Sequence, residues 1–209
     1  MYIPRAFEVK DRTIIDPFIH ENGFGVLVSQ GQEQPDATHL PFLYVPGEGG
    51  QGVLYTHMAR SNPQWKTLRS DKKVLAIFTG EHGYISPSWY ETTPSVPTWD
   101  YTAVHVYGLP ELIEDGARVR TLLTELVEFY EKQNGTHWKM EFPDDYLQRM
   151  ISAIVWVKVN ITEVQAQFKL SQNRSDRDKV KVIASLKLRS GAQESLAHII
   201  ERFKTETRV

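Results

Sequence analysis

Apolar residues recur at intervals of three and four over one long segment of the chain, residues 117–133. This spacing places them on one face of an α-helix, so we predict a long amphipathic helix that stops at Asn134-Gly135. Shorter apolar runs and capping residues predict further helices over residues 11–21, 63–70, 144–151, 176–188 and 193–204.

Six segments alternate apolar and polar residues or form short apolar runs, the two patterns typical of β-strands. They are residues 24–29, 37–45, 52–58, 74–78, 102–107 and 155–170. Few helices separate them, and parallel strands need regular crossovers, so an antiparallel barrel is favoured. The predicted fold class is mainly β (α+β), with peripheral helices and a C-terminal helix pair. We expect a barrel domain at residues 1–170 and a helical appendage at residues 171–209.

One connection between strands is unusually rich in aromatic residues and proline. Residues 84–101 contain three prolines, three tyrosines and the tryptophans Trp89 and Trp99. Prolines stiffen the backbone, and ordering so much aromatic surface in water is favourable only if the rings are buried. We expect this connection to line a binding site or an interface. The alternative is a loop that only covers the core.

The amino-acid composition excludes several kinds of chemistry. The chain has no cysteine, which excludes disulfides and thiolate sites, and its seven histidines lack the spacing typical of a metal site. No glycine-rich phosphate fingerprint is present, so neither a P-loop nor a dinucleotide-binding fold is supported. No apolar run is long enough to span a membrane and no leader precedes the first structured segment, so we expect a cytoplasmic protein without membrane contact.

The formal net charge of −2 conceals a difference between two parts of the chain. Residues 1–164 contain 14 Lys and Arg against 21 Asp and Glu, whereas residues 165–209 contain 10 against 5. A basic C-terminal segment on an acidic body can contact nucleic acid. The alternatives are solvated helix faces or a tail docked on an acidic partner subunit.

The best candidate for an anion site is the predicted strand-to-helix corner at residues 56–62. Free backbone N–H groups and the positive end of a helix dipole would point at the same place there. Arg60 could add a bidentate guanidinium, and Ser61 and Asn62 add polar side chains. In the alternative interpretation, Asn62 only caps the helix and Arg60 is a surface charge.

Several sequence blocks also match a family pattern, in the same order. They are MYIP at residues 1–4, ATHLPFL at 37–43, HMARSNPQW at 57–65, ISPSWY at 85–90, VPTWDY at 96–101 and KLSQNR at 169–174. In these blocks the chain resembles the PaiB family, the FMN-binding negative transcriptional regulators of bacteria. The blocks extend over residues 1–175, so the resemblance covers most of the chain.

The resemblance implies an FMN-binding split β-barrel, in which one strand borders the isoalloxazine ring and the next delivers the phosphate-binding corner. Residues 37–42 and 55–62 occupy those two positions. The cofactor-binding residues so implied are Thr38, His39, Leu40 and His57 near the ring, Arg60, Ser61 and Asn62 at the phosphate, and Trp89 and Trp99, which pack near the ring from the partner subunit. The chain departs from the family pattern at Asp100, where asparagine is usual, which adds a negative charge close to the expected anionic ligand.

The resemblance also implies a biological role, negative regulation of extracellular protease production and sporulation, with no catalytic residue assigned. A homodimer is expected because a split barrel leaves sheet edges and apolar surface that a second subunit can cover. DNA contact is expected through the basic C-terminal segment. Two alternatives stay open: a flavin-dependent oxidoreductase acting on a small substrate, and a haem-binding split barrel with an axial histidine.

Overall fold

Seven β-strands and five α-helices make up the described chain, which in this computed structural model is residues 1–206. The helices are α1 (Arg12–Glu21), α2 (Gly116–Gln133), α3 (Asp144–Ser152), α4 (Asp176–Lys187) and α5 (Ala192–Glu206). The strands are β1 (Glu8–Val9), β2 (Phe24–Gln30), β3 (Pro35–Val45), β4 (Val53–Ala59), β5 (Val74–Ile85), β6 (Thr98–Ile113) and β7 (Ile154–Lys169). None of the helices in this range combines the length and the apolar character that crossing a membrane requires. The last three residues of the predicted appendage, 207–209, lie outside the described residues.

Strand pairing closes six of these strands into a ring. The strand order in the sheet is β1-β7-β4-β3-β2-β5-β6, and β6 also pairs with β7. Strand β1 pairs antiparallel with β7 through Glu8↔Gln167. The pairs β2–β3, β2–β5, β3–β4 and β4–β7 are antiparallel as well. The predicted antiparallel split barrel with peripheral helices and a C-terminal helix pair is confirmed.

Contacts between residues group the chain into two units. Unit 1 is Met1–Phe18, Thr79–Val104 and the described part of Gln165–Val209, and unit 2 is Ile19–Phe78 and His105–Val164. Strands β2, β3 and β4 and helices α2 and α3 belong to unit 2, whereas β1, α4 and α5 belong to unit 1. The domain boundary predicted after residue 170 stays a prediction.

Helix α2 forms as the apolar spacing predicts and packs on the sheet of unit 2. Its first turn is capped by Asp115, whose carboxylate accepts a hydrogen bond from the Ala117 amide at 3.0 Å. Its buried face consists of Val119, Leu122 and Leu126. Those side chains share one apolar cluster with Leu43 of β3, Val53 and Tyr55 of β4, and Trp156 of β7. The helix therefore holds three neighbouring strands of the barrel together on one face.

Two strands are longer than the sequence indicated. Strand β6 was expected to end before Gly108, but it continues to Ile113. A Cβ atom on Gly108 would lie 2.5 Å from the Asn160 carbonyl oxygen, so this glycine permits a close backbone approach inside the strand. Strand β5 likewise extends to Ile85. The aromatic connection is accordingly shorter than predicted, because its two ends are strand.

The helix predicted over residues 63–70 was wrong in length and type. The structure has a five-residue 3-10 helix, Pro63–Thr67. Its start is as predicted: Asn62 caps it, with the side-chain oxygen accepting from the Gln64 amide at 3.0 Å, and Pro63 follows. Leu68 is already extended, at φ −67° and ψ 122°. Since the macrodipole comes from aligned peptides, so short a helix contributes little to binding an anion.

We predict that Leu122→Ala destabilises the protein by about 2–5 kcal/mol, because Leu122 is fully buried and its loss leaves a cavity under α2. Glu128→Ala on the same helix, at an exposed position, is the control and should change stability by less than about 0.5 kcal/mol. Chemical denaturation of the three proteins measures both values. Equal stability of Leu122→Ala and wild type would show that α2 does not anchor this core.

Candidate functional site

Strands β3 and β4 are paired at one end and separate at the other. Their register ends at Phe42↔Thr56. Beyond that pair, β3 continues along β2 as far as Pro35, and β4 continues along β7 as far as Ala59. Residues 38–40 therefore have a strand partner on one edge of β3 only. The backbone groups on the other edge face the gap, as in the split barrel that the sequence implied.

Two predicted site residues meet across this gap. The Asn62 side-chain amide donates to the Thr38 hydroxyl at 2.9 Å, and that hydroxyl donates to Oε1 of Gln64 at 2.5 Å. Nearer the fork, the Thr56 hydroxyl donates to the Pro41 carbonyl at 2.7 Å. The segments 37–42 and 55–62 are thus joined by side chains where backbone pairing has stopped. The hydrogen-bonding capacity of Thr38 and Asn62 is largely used within the protein.

Gln64 is the centre of this network, and sequence reasoning missed it. Its side chain is 2% exposed, and Nε2 lies 3.1 Å from the Leu27 carbonyl and 3.0 Å from the Ser29 hydroxyl. A buried amide is stable only when its donors and acceptor are satisfied, as they are here. The 3-10 helix is therefore fixed to strands β2 and β3. No local sequence signal could have identified these partners, which lie 35 and 37 residues away.

Arg60 lies on the surface at the end of β4, but its guanidinium is partly engaged. Nε donates to the Ser152 carbonyl at 2.7 Å and Nη2 donates to the Ile154 carbonyl at 3.0 Å. The guanidinium carbon also lies 5.9 Å from the centre of the Trp65 ring. One side of the fork is thus held by the protein, while the Nη1–Nη2 edge keeps donors for an anion. The two carbonyl contacts fix the direction of the guanidinium before any anion binds.

The other predicted residues of this region differ in the chemical groups they can present to a ligand. Ser61 is exposed beside Arg60, and its hydroxyl can serve as a further donor. His39 is exposed on β3 and its ring stacks on Phe24 with centroids 6.2 Å apart. Leu40 is 5% exposed, so its side chain belongs to the core and only its backbone can border a ligand. These residues can supply a hydroxyl, a flat ring and backbone groups.

His57 lies on β4 opposite Trp156 of β7, and the two rings pack with centroids 4.9 Å apart. Burial lowers the pKa of the His57 imidazole, so the neutral form is favoured. Its Nδ1 is buried without a hydrogen-bond partner among the described residues. An orphaned polar atom beside the predicted site is consistent with a missing ligand group.

Trp89 and Trp99 belong to unit 1, where both contact other side chains. The Arg189 guanidinium lies over the Trp89 ring at 5.2 Å. Trp99 is 53% exposed and its ring packs near His82 and Tyr84, with centroids 6.1 Å away in each case. A half-exposed tryptophan next to an exposed tyrosine forms an apolar surface suited to an interface.

The aromatic connection is held by the basic C-terminal segment. The Asp178 carboxylate of α4 accepts hydrogen bonds from the Glu91 amide at 2.8 Å and from the Thr92 hydroxyl at 2.7 Å. These bonds lower the pKa of Asp178 to about 2. Lys181 forms an ion pair with Glu91 at 2.9 Å, and the Arg174 guanidinium covers the Tyr90 ring at 4.2 Å. The loop is thus docked on α4 rather than free.

Asp100 is 1% exposed, next to this connection in unit 1. One carboxylate oxygen accepts from the Ser171 hydroxyl at 2.6 Å, and the Lys169 ammonium lies 4.0 Å from the other. Burial raises the pKa of Asp100, and the hydroxyl and ammonium oppose that effect. Lys169 and Ser171, both in the KLSQNR block, therefore partly stabilise its charged form.

No cluster of metal-ligating side chains is found within residues 1–206.

Comparison with known proteins agrees with this geometry. A family model described as "Putative FMN-binding domain" matches residues 1–163. The chain is 40% identical over 188 residues to "Protease synthase and sporulation protein PAI 2" of Bacillus subtilis, and the match covers 89% of each protein. The chain therefore belongs to the FMN-binding family that includes PAI 2, the PaiB family.

Solved structures share the fold at low sequence identity. A flavocytochrome, Anf3 of Azotobacter vinelandii, matches with a TM-score of 0.61 at 14% identity, over 86% of this chain and 78% of its own. A protein of Mycobacterium smegmatis titled as binding FAD and heme matches with a TM-score of 0.60 at 14% identity, over 83% of this chain and 78% of its own. These neighbours establish the barrel fold.

We predict that Asp178→Ala loosens the aromatic connection, because three donors of Glu91 and Thr92 lose their acceptor. The variant should melt at a lower temperature and be cleaved faster by protease within residues 91–97. Folding lowers the pKa of Asp178 from 3.8 to about 2. The extra stability of the wild type over Asp178→Ala is therefore complete above about pH 4 and disappears as the pH falls towards 2.

The control is Asp176→Ala, an exposed carboxylate on the same helix that forms an ion pair with Lys179. Thermal melts at several pH values and limited proteolysis measure the difference. A melting temperature of Asp178→Ala equal to that of Asp176→Ala at pH 7 would contradict the docking role.

Proposed function

We propose that this protein is a cytoplasmic, FMN-binding negative transcriptional regulator of extracellular protease production and sporulation. The observation that carries the proposal is the gap between β3 and β4, with the exposed Arg60 just after the end of β4, in a member of the FMN-binding family. The regulatory part is supported by the 40% identity to PAI 2 over 89% of both chains.

The described residues fit FMN. A single phosphate can be held by the free Nη1–Nη2 edge of Arg60 and by the Ser61 hydroxyl. The unpaired edge of residues 38–40 offers backbone groups for the polar rim of the isoalloxazine ring, and His39 offers an exposed flat face. The unpartnered Nδ1 of His57 is a further polar group beside the site. Bound FMN would supply a redox-active ring, so the regulator could respond to redox state.

Flavin-dependent reduction of a small substrate is the second candidate function. The neutral imidazole of His57 favours it, because a proton-transferring group beside a flavin is what such an enzyme needs. Mixing the purified protein with FMN tests both readings: a protein that stays colourless excludes them together. If it turns yellow, rapid reduction by NADH or NADPH identifies a catalyst.

Titration with haem tests the third alternative, a haem-binding split barrel, since an axial histidine gives a sharp, shifted Soret band.

A homodimer with the flavin at its interface is part of the proposal. Exposed apolar side chains support it: in unit 1, Val96 and Trp99 are 68% and 53% exposed, and in unit 2, Phe24 is 66% exposed. Monomers rarely leave such side chains uncovered when they form a patch. Trp89 and Trp99 would then contribute to the partner's flavin site. Analytical ultracentrifugation tests the dimer directly.

Direct DNA contact through the C-terminal segment is a further part of the proposal. Lys181 and Lys187 form ion pairs with Glu91 and Glu201, at 2.9 and 2.7 Å. Arg174 and Arg189 lie over aromatic rings. Many basic side chains of this segment thus contact acidic or aromatic residues of unit 1. Arg177 is exposed on α4, and its guanidinium can contact a DNA phosphate.

We predict that Arg60→Ala weakens FMN binding by about 1.5–3 kcal/mol, roughly ten- to a hundredfold, through loss of a charge-assisted contact. Arg60→Lys should restore only part of the affinity, because an ammonium lacks the planar fork. Fluorescence titration with FMN measures both, and thermal melts control for folding. Unchanged affinity in a folded Arg60→Ala protein would move the phosphate elsewhere.

We predict that deleting the gene raises secreted protease activity and spore number, and that the wild-type gene reverses both effects. Gel shifts on promoter DNA should show affinity that falls steeply with salt and falls further in Arg177→Gln. The matched control is Lys132→Gln, an exposed cation on α2. Absence of any shift at low ionic strength would exclude direct DNA contact while leaving FMN binding intact.

A further inference from the structure

A second group of basic side chains surrounds a cavity in unit 2, beyond the end of the 3-10 helix. The cavity has a volume of about 470 Å³ and lies between the β2–β3 turn and the segment that leads into β5. Its lining includes Lys66, Thr67, Arg69, Lys72, Lys73 and Ser29. Arg60, Ser61 and Asn62 are not part of its wall. The cavity is therefore distinct from the corner assigned to FMN.

Residues 66–73 give one wall of this cavity a net positive charge. Residues 66–73 contain four basic side chains and one acidic side chain, Asp71. Arg69 holds Asp71 in a two-bond pair, with Nε–Oδ1 at 2.9 Å and Nη2–Oδ2 at 3.1 Å. Lys72 and Lys73 are exposed, and the Arg69 pair lowers the pKa of Asp71, with Lys72 adding to that effect. Like charges gathered at a concave surface attract an anion, which relieves their repulsion.

Hydrogen bonds fix the walls of this cavity. The Thr67 hydroxyl donates to the Gln64 carbonyl at 2.8 Å and lies 3.4 Å from the Asp36 carboxylate. A Cβ atom on Gly31 would lie 2.4 Å from the Gln34 carbonyl oxygen, so the turn closes this tightly only with glycine. A cavity with fixed walls binds a ligand without the cost of ordering a loop.

A second cavity of about 550 Å³ continues from the first across the β2–β3 turn. The two share Ser29, residues 30–32, Lys73 and Val74. The additional walls of the second are the apolar or aromatic Val28, Pro35, Leu75 and Tyr107 and, at the turn, the polar Glu33 and Gln34. Each volume lies within the range of natural small-molecule sites. One end of the combined space suits an anion and the other suits a non-polar body.

We propose that the two cavities together bind a phosphorylated small molecule, with its phosphates beside Lys66, Lys72 and Lys73 and its non-polar part against Tyr107. This site is separate from the flavin site and does not depend on FMN binding. It gives the protein a place to bind a charged metabolite in addition to its cofactor.

Calorimetric titration with inorganic pyrophosphate, in buffer without divalent metal, tests the anionic end. The double variant Lys72→Gln/Lys73→Gln should lose at least tenfold in affinity, because both charge-assisted contacts are removed. The control Lys132→Gln/Lys139→Gln removes the same charge from exposed positions elsewhere in unit 2 and should change affinity by less than twofold. Equal losses in the two variants, or no binding to wild type, would overturn the proposal.

Titration with ADP tests the non-polar end. ADP should bind at least tenfold more tightly than pyrophosphate, and Tyr107→Leu should remove that difference without changing the affinity for pyrophosphate. Equal affinities of wild type for the two probes would overturn the assignment of the second cavity. Saturating FMN should leave pyrophosphate bound and lower its affinity by less than about twofold, through weak charge repulsion alone. Displacement of pyrophosphate by FMN would mean that these lysines serve the flavin site, and the proposal would fall.

Discussion

The buried side-chain amide of Gln64 is the interaction on which the candidate sites depend. Where β3 and β4 separate, their backbone groups would otherwise favour continued pairing of the strands. Gln64 instead accepts from Thr38 on one side and donates to the β2 carbonyl of Leu27 on the other. A buried amide satisfied in this way is costly to displace, since each lost bond leaves a desolvated polar group. The gap is therefore a fixed feature of the fold.

Local patterns in the sequence predicted where elements begin better than where they end. Asn62 and Pro63 indicated the start of a helix correctly, because capping is a local interaction, but nothing local specified that it would stop after Thr67. Gly108 was interpreted as a strand break because the sequence does not show the backbone of β7 beside it. Arg60 was predicted as an anion ligand from its place at a strand-to-helix corner and from a family resemblance, yet its contacts with Ser152 and Ile154 come from a distant helix end and strand. Tertiary partners of this kind cannot be inferred from one sequence.

The basic C-terminal segment shows why a charge count alone does not identify a partner. The excess of Lys and Arg after residue 165 is real, but the structure shows several of these cations neutralised or stacked within unit 1. They surround a rigid aromatic connection whose amides are held by Asp178. Such pairs at a partly exposed surface contribute little stability individually, whereas a network around one loop restricts its conformations. The charge is best explained as the means by which α4 orders the connection that carries Trp89.

The corner proposed for FMN and the cavity lined by Lys66, Lys72 and Lys73 lie at opposite ends of the same short 3-10 helix. Trp65 links them, since Arg60 and Lys66 each lie within 6 Å of its ring centre, at 5.9 and 5.7 Å. Spatial proximity does not by itself couple two sites, because a ligand shifts an equilibrium only if it binds two states differently. The bonds of Gln64 to Leu27 and Ser29 hold the helix against β2, so coupling through its movement would require breaking buried hydrogen bonds. Electrostatics is the remaining route: an anion at either end lowers the positive potential at the other, so two anionic ligands would oppose each other weakly, and less so at high salt.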